Sequence, residues 1–550
     1  MNKFLLFVLT FSCALCAKNN QLNTYLQNTA AKLLPLANQE FVKPDNASTP
    51  EKKINAIFSI KPLTTGKYFK VIKDDYKTTK NAQFKASTLP TINIHLMQQG
   101  DTVFPQSTAF VRSEHSLWEW QISQGKIWQE KNLLKIVLPF ALQEKNANCT
   151  HNGYMVLAQT DSDSNWHGYS QITGETCAYL QYDLAAHLQV KAKETTETFV
   201  LDESPTVKTH SLEYLHKDYP KLNIEKLLPI NPATNTTSGL VIKGKHYQLS
   251  CKNRTGIDPY CAQLVLPSYS TAKSLFAGTA LMRLEKLVPS ISRVSVHKII
   301  PECDEKRWGK VSLGDLLNMR TGNYRSKKPH VDENSQRMLD FFLAETHQQK
   351  LKMACTMFKH KSKAGKTFVY HSSDTYLAGV VMNKLFQKLA HKQDLFNDLM
   401  LDDLWKTLNL SHLFANTKRT YDKHNQAFTG WGLSYYVDDL IQLVGFLQHN
   451  QNLFDENLYN SALQIGDERI NLGGGEANMA YNNGFWALEV GHTLNCKKDK
   501  WLPFMSGFGG ISVVLYQPDI FYYTFADDHQ YHWLKVVKEL NKQFPLCENN

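Results

Sequence analysis

Beyond its first 17 residues the sequence has no apolar run long enough to cross a bilayer, no Cys-x-x-Cys pair and no block of basic residues. The first absence means that no transmembrane segment is expected after signal removal. The second, with no His-Cys cluster beside any cysteine, argues against a zinc site. The third weighs against nucleic-acid binding: the formal charge is +10, but Lys and Arg are spread along the whole length, as on a solvated surface. Weak contact with an anionic envelope polymer stays open as a partner.

What is present is ordinary globular material, 42% hydrophobic and 11% aromatic. At 550 residues the chain is too long for one core, so two or three domains are expected. Lys3 followed by the apolar Phe4 to Ser12 and the small residues Ala14 and Ala17 reads as a signal peptide over 1–17. Lipid attachment at Cys13 or Cys16 is the competing reading, and the residues before each cysteine suit it poorly. An exported protein, periplasmic or secreted, is the expectation. Eight of the ten cysteines follow that segment, and an even number in an oxidising compartment favours disulfides. Spacing does not fix connectivity. Pairing of neighbours is expected: Cys149–Cys177 and Cys251–Cys261, which close local loops, then Cys303–Cys355 and Cys496–Cys547.

Residues 18–205 read as a β-rich N-terminal domain of unassigned role. A short helix is expected over Leu22–Leu36, followed by strands at Thr91–Met97, Ser116–Ile122, Leu133–Leu142 and Cys177–Val190. Asp161-Ser-Asp-Ser164 resembles part of a calcium loop but lacks its glycine and terminal glutamate, so a polar hairpin tip is the better reading. Trp118, Trp120 and Trp128 are candidates for a sugar-binding face, with core packing the more economical role.

From 206 to 550 the pattern changes. A helix over Ser211–Leu228 and a linker at Pro229–Ser238 precede strands at Gly239–Ser250 and Gln263–Leu266. A long helix follows over Ser270–Val288, then a mostly helical middle to about 465. Strands at Gly484–Val490, Ile511–Tyr516 and Ile520–Phe525 precede an amphipathic helix over Tyr531–Phe544. Strands at both ends with helices between imply an α/β plan with a helical insertion, the sheet edges coming from opposite ends of the domain.

Two short segments offer chemistry. Ser270-x-x-Lys273 sits where a strand gives way to a helix, so the two side chains lie one turn apart on one face. Burial and the positive end of the helix dipole both lower a lysine pKa there, and a neutral lysine beside a serine hydroxyl is a workable general base. The bland alternative is a capping serine beside a surface lysine. In Phe368-Val-Tyr370-His-Ser372, Tyr370 opens a polar turn that runs into an apolar helix, and a tyrosine beside a lysine can carry the second proton.

In order, Ser270-x-x-Lys273, Tyr370-x-Ser372 about a hundred residues later and a glycine-rich turn before the last strand pair resemble the serine β-lactamase and penicillin-binding protein superfamily. Val311–Tyr324, Gly430–Leu440, Gly484–Trp486 and Gly507–Ser512 are similar to further stretches of that family, so the likeness covers about 211–545. It implies a β-lactamase/transpeptidase-like sheet flanked by helices, and covalent acyl transfer without metal or organic cofactor. It also implies roles: Ser270 as nucleophile, Lys273 and Tyr370 as proton carriers, Ser372 as a contact to substrate or lysine, and the backbone N–H groups of Ser270 and Ile511 as an oxyanion hole. The Tyr-x-Ser form is nearer to the esterase and amidase branch than to the antibiotic-resistance enzymes.

One departure bears on substrate. Where the family places Lys or His before its third motif, this chain has Phe508-Gly509-Gly510, which the resemblance implies are substrate-binding positions. The cation that recognises a substrate carboxylate is absent, which favours an apolar ester or amide over β-lactams and D-alanyl peptides. Ser506, close in sequence, is a candidate partial substitute. A non-catalytic binding protein that keeps the fold is the competing class. His529-x-x-His532 opens the last helix behind ordinary N-terminal acids, and no metal is expected there. Asn-x-Ser/Thr strings at Asn46, Asn148, Asn235, Asn253 and Asn409 matter only in a glycosylating host.

Overall fold

The computed structural model describes residues 21–28, 32–77, 88–160, 163–202, 207–466 and 478–547. The signal segment over 1–17 and the Asp161-Ser162 start of the calcium-like loop lie outside the described residues.

The N-terminal strands alternate apolar positions with a period of two, and the alternation has two cores to serve. Ten strands form one antiparallel sheet, and Asn55–Pro62 pairs with Tyr182–Glu194 so that the sheet closes into a barrel. Along Leu133–Glu144, Ile136, Leu138, Phe140 and Leu142 point into a core shared with Phe58, Leu96, Met155, Leu157 and Trp118. The intervening Leu133 and Val137 face outwards, where Leu22, Tyr25 and Leu26 of the helix Gln21–Gln27 cover them. Closure removes the exposed sheet edges that an open sheet of this length would leave. Trp118, Trp120 and Trp128 are all buried, so they are packing residues and not a sugar-binding face. The expected helix over 22–36 stops at Gln27.

The second sheet runs in the order Thr209–His210, Lys245–Asn253, Asn235–Ile242, Ile520–Ala526, Ile511–Gln517, Trp501–Gly507, Phe485–Glu489, Met479–Asn482. Its centre joins an early strand to the last one, Asn235–Ile242 against Ile520–Ala526. Val513 and Leu515 face the helical layer that includes Ala280, Leu281 and Leu377, while Val514 and Tyr516 face the C-terminal helix Trp533–Gln543 through Val536 and Leu540. Helices therefore cover both faces of this sheet.

Several expected elements shift, each for a local reason. The strand expected over 239–250 is a hairpin, because Lys243 and Gly244 both take positive φ (50° and 76°) and make a tight two-residue turn. Its first strand begins at Asn235, inside the stretch read as a linker. The helix expected over 211–228 is broken at Tyr219-Pro220 into Leu212–Asp218 and Ile224–Leu227, since proline cannot continue a helix. The strand Trp501–Gly507 escaped notice in the sequence.

Four disulfides join Cys149–Cys177, Cys251–Cys261, Cys303–Cys355 and Cys496–Cys547, the pairs of sequence neighbours. The barrel and the second unit share a polar seam. Lys418, almost fully buried, donates to Glu119 (2.6 Å) and to the carbonyls of Glu144 (2.7 Å) and Lys145 (2.9 Å) of the barrel. Asn152 and the Val265 backbone exchange hydrogen bonds of 3.1 and 3.0 Å, and Asn148 accepts from the Gly432 N–H (2.9 Å). Arg254 reaches back to Glu175 and Asp183. Lys418→Ala would leave Glu119 and two carbonyls without their cation, and removing one member of a buried pair costs about 3–5 kcal/mol. Denaturant unfolding should show a loss of that size; a loss below about 1 kcal/mol would mean that the seam is not closed by this lysine.

Candidate active site

Ser270 follows the two-residue strand Leu266–Pro267, which is anchored on Ser434–Tyr435. Tyr269 takes a left-handed φ of 42°, unusual for a non-glycine residue, and turns the chain sharply into the helix. The first turn is tight: Thr271 N–H donates to Ser268 O and Lys273 N–H to Ser270 O (both 3.0 Å). Lys273 then opens a helical run, wide-turned over Lys273–Gly278 and α-helical over Thr279–Leu287. This run packs directly on the hairpin turn at Asn483-Gly484. A Cβ on Gly278 would lie 2.1 Å from Asn483 O, and one on Gly484 would lie 2.2 Å from Lys273 O. Glycine is required at both positions.

Lys273 is 1% exposed, and its amine has three oxygen neighbours: Ser270 Oγ at 2.9 Å, Ser372 Oγ at 2.9 Å and the Gly430 carbonyl at 3.0 Å. Burial lowers its pKa to about 8, against the opposing charge of Glu333. The amine also lies 5.1 Å from the centre of the Tyr370 ring, and Ser270 is near enough to the Tyr370 phenol to oppose the rise in its pKa. Burial raises the phenol pKa well above its ordinary value, with Tyr481 and Glu333 adding to the effect. The phenol is therefore neutral when the lysine loses its proton. Trp486 stacks on Tyr370 (5.8 Å between centroids, 20°), and Tyr481 meets it edge-on at 5.9 Å.

An extended backbone explains why Tyr370 and Ser372 face the same way. His371 has φ −140° and ψ 122°, so its side chain points away from those of its two neighbours. It turns into a buried cluster, with Nε2 3.2 Å from Asp332 and Nδ1 3.3 Å from Asp374, while Phe358 stacks on the ring at 4.2 Å. Burial alone would lower its pKa, but Asp374 and Asp332 outweigh burial and hold it at about 9. The next acidic residue, Glu333, accepts from both the backbone N–H (2.8 Å) and the hydroxyl of Ser372. Adjacent carboxylates thus clamp adjacent residues of the site. Asp332 and Glu333 were not singled out in the sequence, where acids ahead of Ser335 and the helix Gln336–Leu343 look like ordinary cap residues.

The cleft above Ser270 has a volume of about 230 Å³ and draws on both units. The barrel supplies the Asn146–Asn148 loop and Tyr179, which the Cys149–Cys177 disulfide ties together. The second unit supplies Phe342, Trp431 and Phe508. Trp431 donates its indole N–H to Asn146 O (3.1 Å), fixing one wall to the other. Among the described residues that line the cleft there is no arginine, lysine or histidine, and the acids are Glu144 and Glu333.

The glycine-rich turn lies differently from the expectation. Phe508 is in the cleft, 42% exposed, and packs near Tyr179 and Tyr269. Gly509 and Gly510 have φ of 94° and 119° and face the Ala526–Gln530 segment, so they shape the turn and do not line the cleft. Ile511 is cross-strand partner to Gly507, and its side chain is sealed in the core. Gly507 of this hairpin abuts the turn that leads into Ser270: a Cβ there would sit 3.1 Å from Ser268 O and 3.2 Å from Tyr269 Cβ. Tyr531, whose hydroxyl donates to Gly507 O (3.1 Å), braces the hairpin from behind. His529 meets Phe508 edge-on at 4.8 Å. Among the described residues the group of His, Cys and acidic side chains close enough to share a metal is Cys149, His151 and Cys177, and its cysteines form a disulfide.

No protein-family model and no curated protein matches this chain. Solved structures do. A penicillin-binding protein homologue from Caulobacter crescentus is 12% identical, with a TM-score of 0.40, covering 58% of this chain and 95% of its own. A D-stereospecific amidohydrolase from Streptomyces sp. is 14% identical, with a TM-score of 0.41, covering 58% and 97%. A class C β-lactamase is 12% identical, with a TM-score of 0.40, covering 62% and 95%.

The His371 cluster has a pH signature. A group whose folded pKa (about 9) lies above its unfolded value (about 6.5) contributes stability that is full below 6.5 and is lost as pH rises through 9. The stability difference between wild type and His371→Asn should therefore be largest near pH 6 and shrink between pH 6.5 and 9, read from denaturation midpoints of the two proteins side by side. A difference that is constant across this window would contradict the assignment.

Proposed function

We propose that this protein is an exported serine hydrolase of the β-lactamase-related type, which forms an acyl-enzyme on Ser270 and acts on an ester or amide without a carboxylate beside the scissile bond. The observation that carries the reading is a cleft-lining Ser270 whose hydroxyl lies 2.9 Å from the buried Lys273 amine, with the Tyr370 ring centre 5.1 Å from that amine. A buried lysine held next to a serine is costly to maintain for packing alone, and it is suited to accept the serine proton.

In this mechanism Ser270 Oγ bonds to the substrate carbonyl carbon as its proton passes to neutral Lys273. The Tyr370 phenol gives a proton to the departing oxygen or nitrogen and is re-protonated through Lys273. The bond to the leaving group breaks, and the acyl group stays on Ser270. Water then attacks the acyl carbon, its proton follows the same path in reverse, and the acid is released. The Ser270 backbone N–H and one from the turn that begins at Gly507, which packs against the Ser268–Tyr269 turn, would serve the developing oxyanion. Four disulfides fit an oxidising compartment, which supports export. The aromatic walls and the two glutamates support an apolar or cationic acyl substrate and disfavour an anionic one.

A fluorophosphonate probe should label Ser270, and Ser270→Ala should lose at least about a thousandfold in ester hydrolysis. Lys273→Ala should lose about 10²–10⁴-fold, the range for a general base. Since the lysine must be neutral to act, kcat/KM should rise with pH through a midpoint near 8. Neutral p-nitrophenyl esters should be turned over, and a fluorescent penicillin should acylate the protein poorly. Undiminished labelling of both variants would refute the nucleophile, efficient acylation by penicillin would refute the substrate class, and failure of every acylating probe on folded protein would favour a binding role.

A further inference from the structure

The direction of each hydrogen bond around Lys273 can be worked out from what each partner is able to do. The Gly430 carbonyl only accepts, so the amine donates to it (3.0 Å). A serine hydroxyl has one proton, and the Ser372 hydroxyl spends it on Glu333, whose carboxylate only accepts. Ser372 therefore presents a lone pair to Lys273, and the amine donates to it as well (2.9 Å). A neutral amine has two hydrogens and one lone pair. With both hydrogens committed, the lone pair is left for the third neighbour, Ser270 Oγ at 2.9 Å.

We propose that Glu333 is a positioning residue of this site: by taking the Ser372 proton it forces Ser372 to accept from Lys273, and so aims the lysine lone pair at Ser270. This rests on the reading of Ser270 as nucleophile. Without the carboxylate the Ser372 hydroxyl is free to turn and donate to the lysine, occupying the lone pair that should receive the Ser270 proton. Glu333 holds Ser372 through two contacts, the hydroxyl and the backbone N–H at the start of the helix Ser372–Ala390. A carboxylate at a helix N-terminus is also favoured by the backbone dipole, which keeps it in place. The other titratable groups around the amine are Tyr370 in front, Tyr481 and Tyr531 beyond it, and His371 with Asp332 and Asp374 behind Ser372. Among these, Glu333 is the acid whose charge acts directly on Lys273, and it favours the protonated amine. Glu333 thus has two separable effects, orientation and charge.

The test is ester hydrolysis across pH by wild type, Glu333→Gln, Glu333→Ala, Ser372→Ala and the double variant Glu333→Ala/Ser372→Ala, with Ser270→Ala alongside. Glu333→Ala should lower kcat about ten- to a hundredfold with KM changed less than threefold. Both Glu333 variants should move the rising limb of kcat/KM to lower pH, because the charge that holds the lysine proton is gone. Glu333→Gln keeps the side chain's bulk and an acceptor oxygen, so it should show the limb shift with the smaller loss of kcat. Because Glu333 works through Ser372, the double variant should lose much less than the product of the two single losses. A carboxylate that merely capped the helix would lower stability and leave the limb where it is. An unmoved limb in both Glu333 variants, or fully multiplicative losses, overturns the proposal. If Ser270→Ala stays active the nucleophile itself is wrong, whereas an inactive Ser270→Ala beside a wild-type-like Glu333→Ala defeats this inference alone.

Discussion

Everything at the candidate site depends on one buried amine. Taking a lysine head group out of water is expensive, and the group responds by shedding its charge or by being surrounded with acceptors. Lys273 does both: burial brings its pKa to about 8, and three oxygens from the Ser270 turn, the Ser372 helix start and the Gly430 segment close around it. These segments are far apart in sequence. Their meeting point is therefore also the point at which the helical insertion, the helical run that Lys273 opens and the sheet must agree in position. The glycines at 278 and 484 show how tight that agreement is, since neither contact leaves room for a Cβ.

The barrel belongs to this arrangement and is not a passenger. Its Asn146–Asn148 loop forms one wall of the cleft, held from below by the Cys149–Cys177 disulfide and from the side by Trp431 and Gly432 of the second unit. Lys418 ties the same loop down by capping the carbonyls of Glu144 and Lys145. A wall built on a closed barrel is stiff, because the strands of its closed ring, such as Leu133–Glu144, Thr150–Thr160 and Tyr182–Glu194, are each paired on both sides. The cleft is accordingly shaped by two independent cores, and side chains of the barrel stand opposite Phe342 and Trp431 across the opening.

How much of this could be read in the sequence depends on the range of the interactions. Ser270 and Lys273 were visible because one helical turn relates them, and Tyr370 and Ser372 because one extended residue separates them. The cysteines lie nearest to their sequence neighbours, and that is how they pair. Glu333 was not visible: its partner is 39 residues away, and its neighbourhood reads as a helix cap. Nor was barrel closure, which needs Asn55–Pro62 to find Tyr182–Glu194 across the whole domain. Ile511 was named for its backbone N–H by counting along a glycine-rich string, whereas its pairing with Gly507 and its core-facing side chain come from the hairpin register, which that string does not encode. Pattern reading is blind to register when a turn contains more than one glycine.

The central claim is that the Lys273 amine is neutral at mildly alkaline pH. Its direct measurement is an NMR titration of lysine-labelled protein, with the Lys273 signal assigned by comparison with Lys273→Met. A midpoint near 8, moved to lower pH in Glu333→Gln, is the predicted result. A signal that titrates at the ordinary lysine value of about 10.4 would contradict the account.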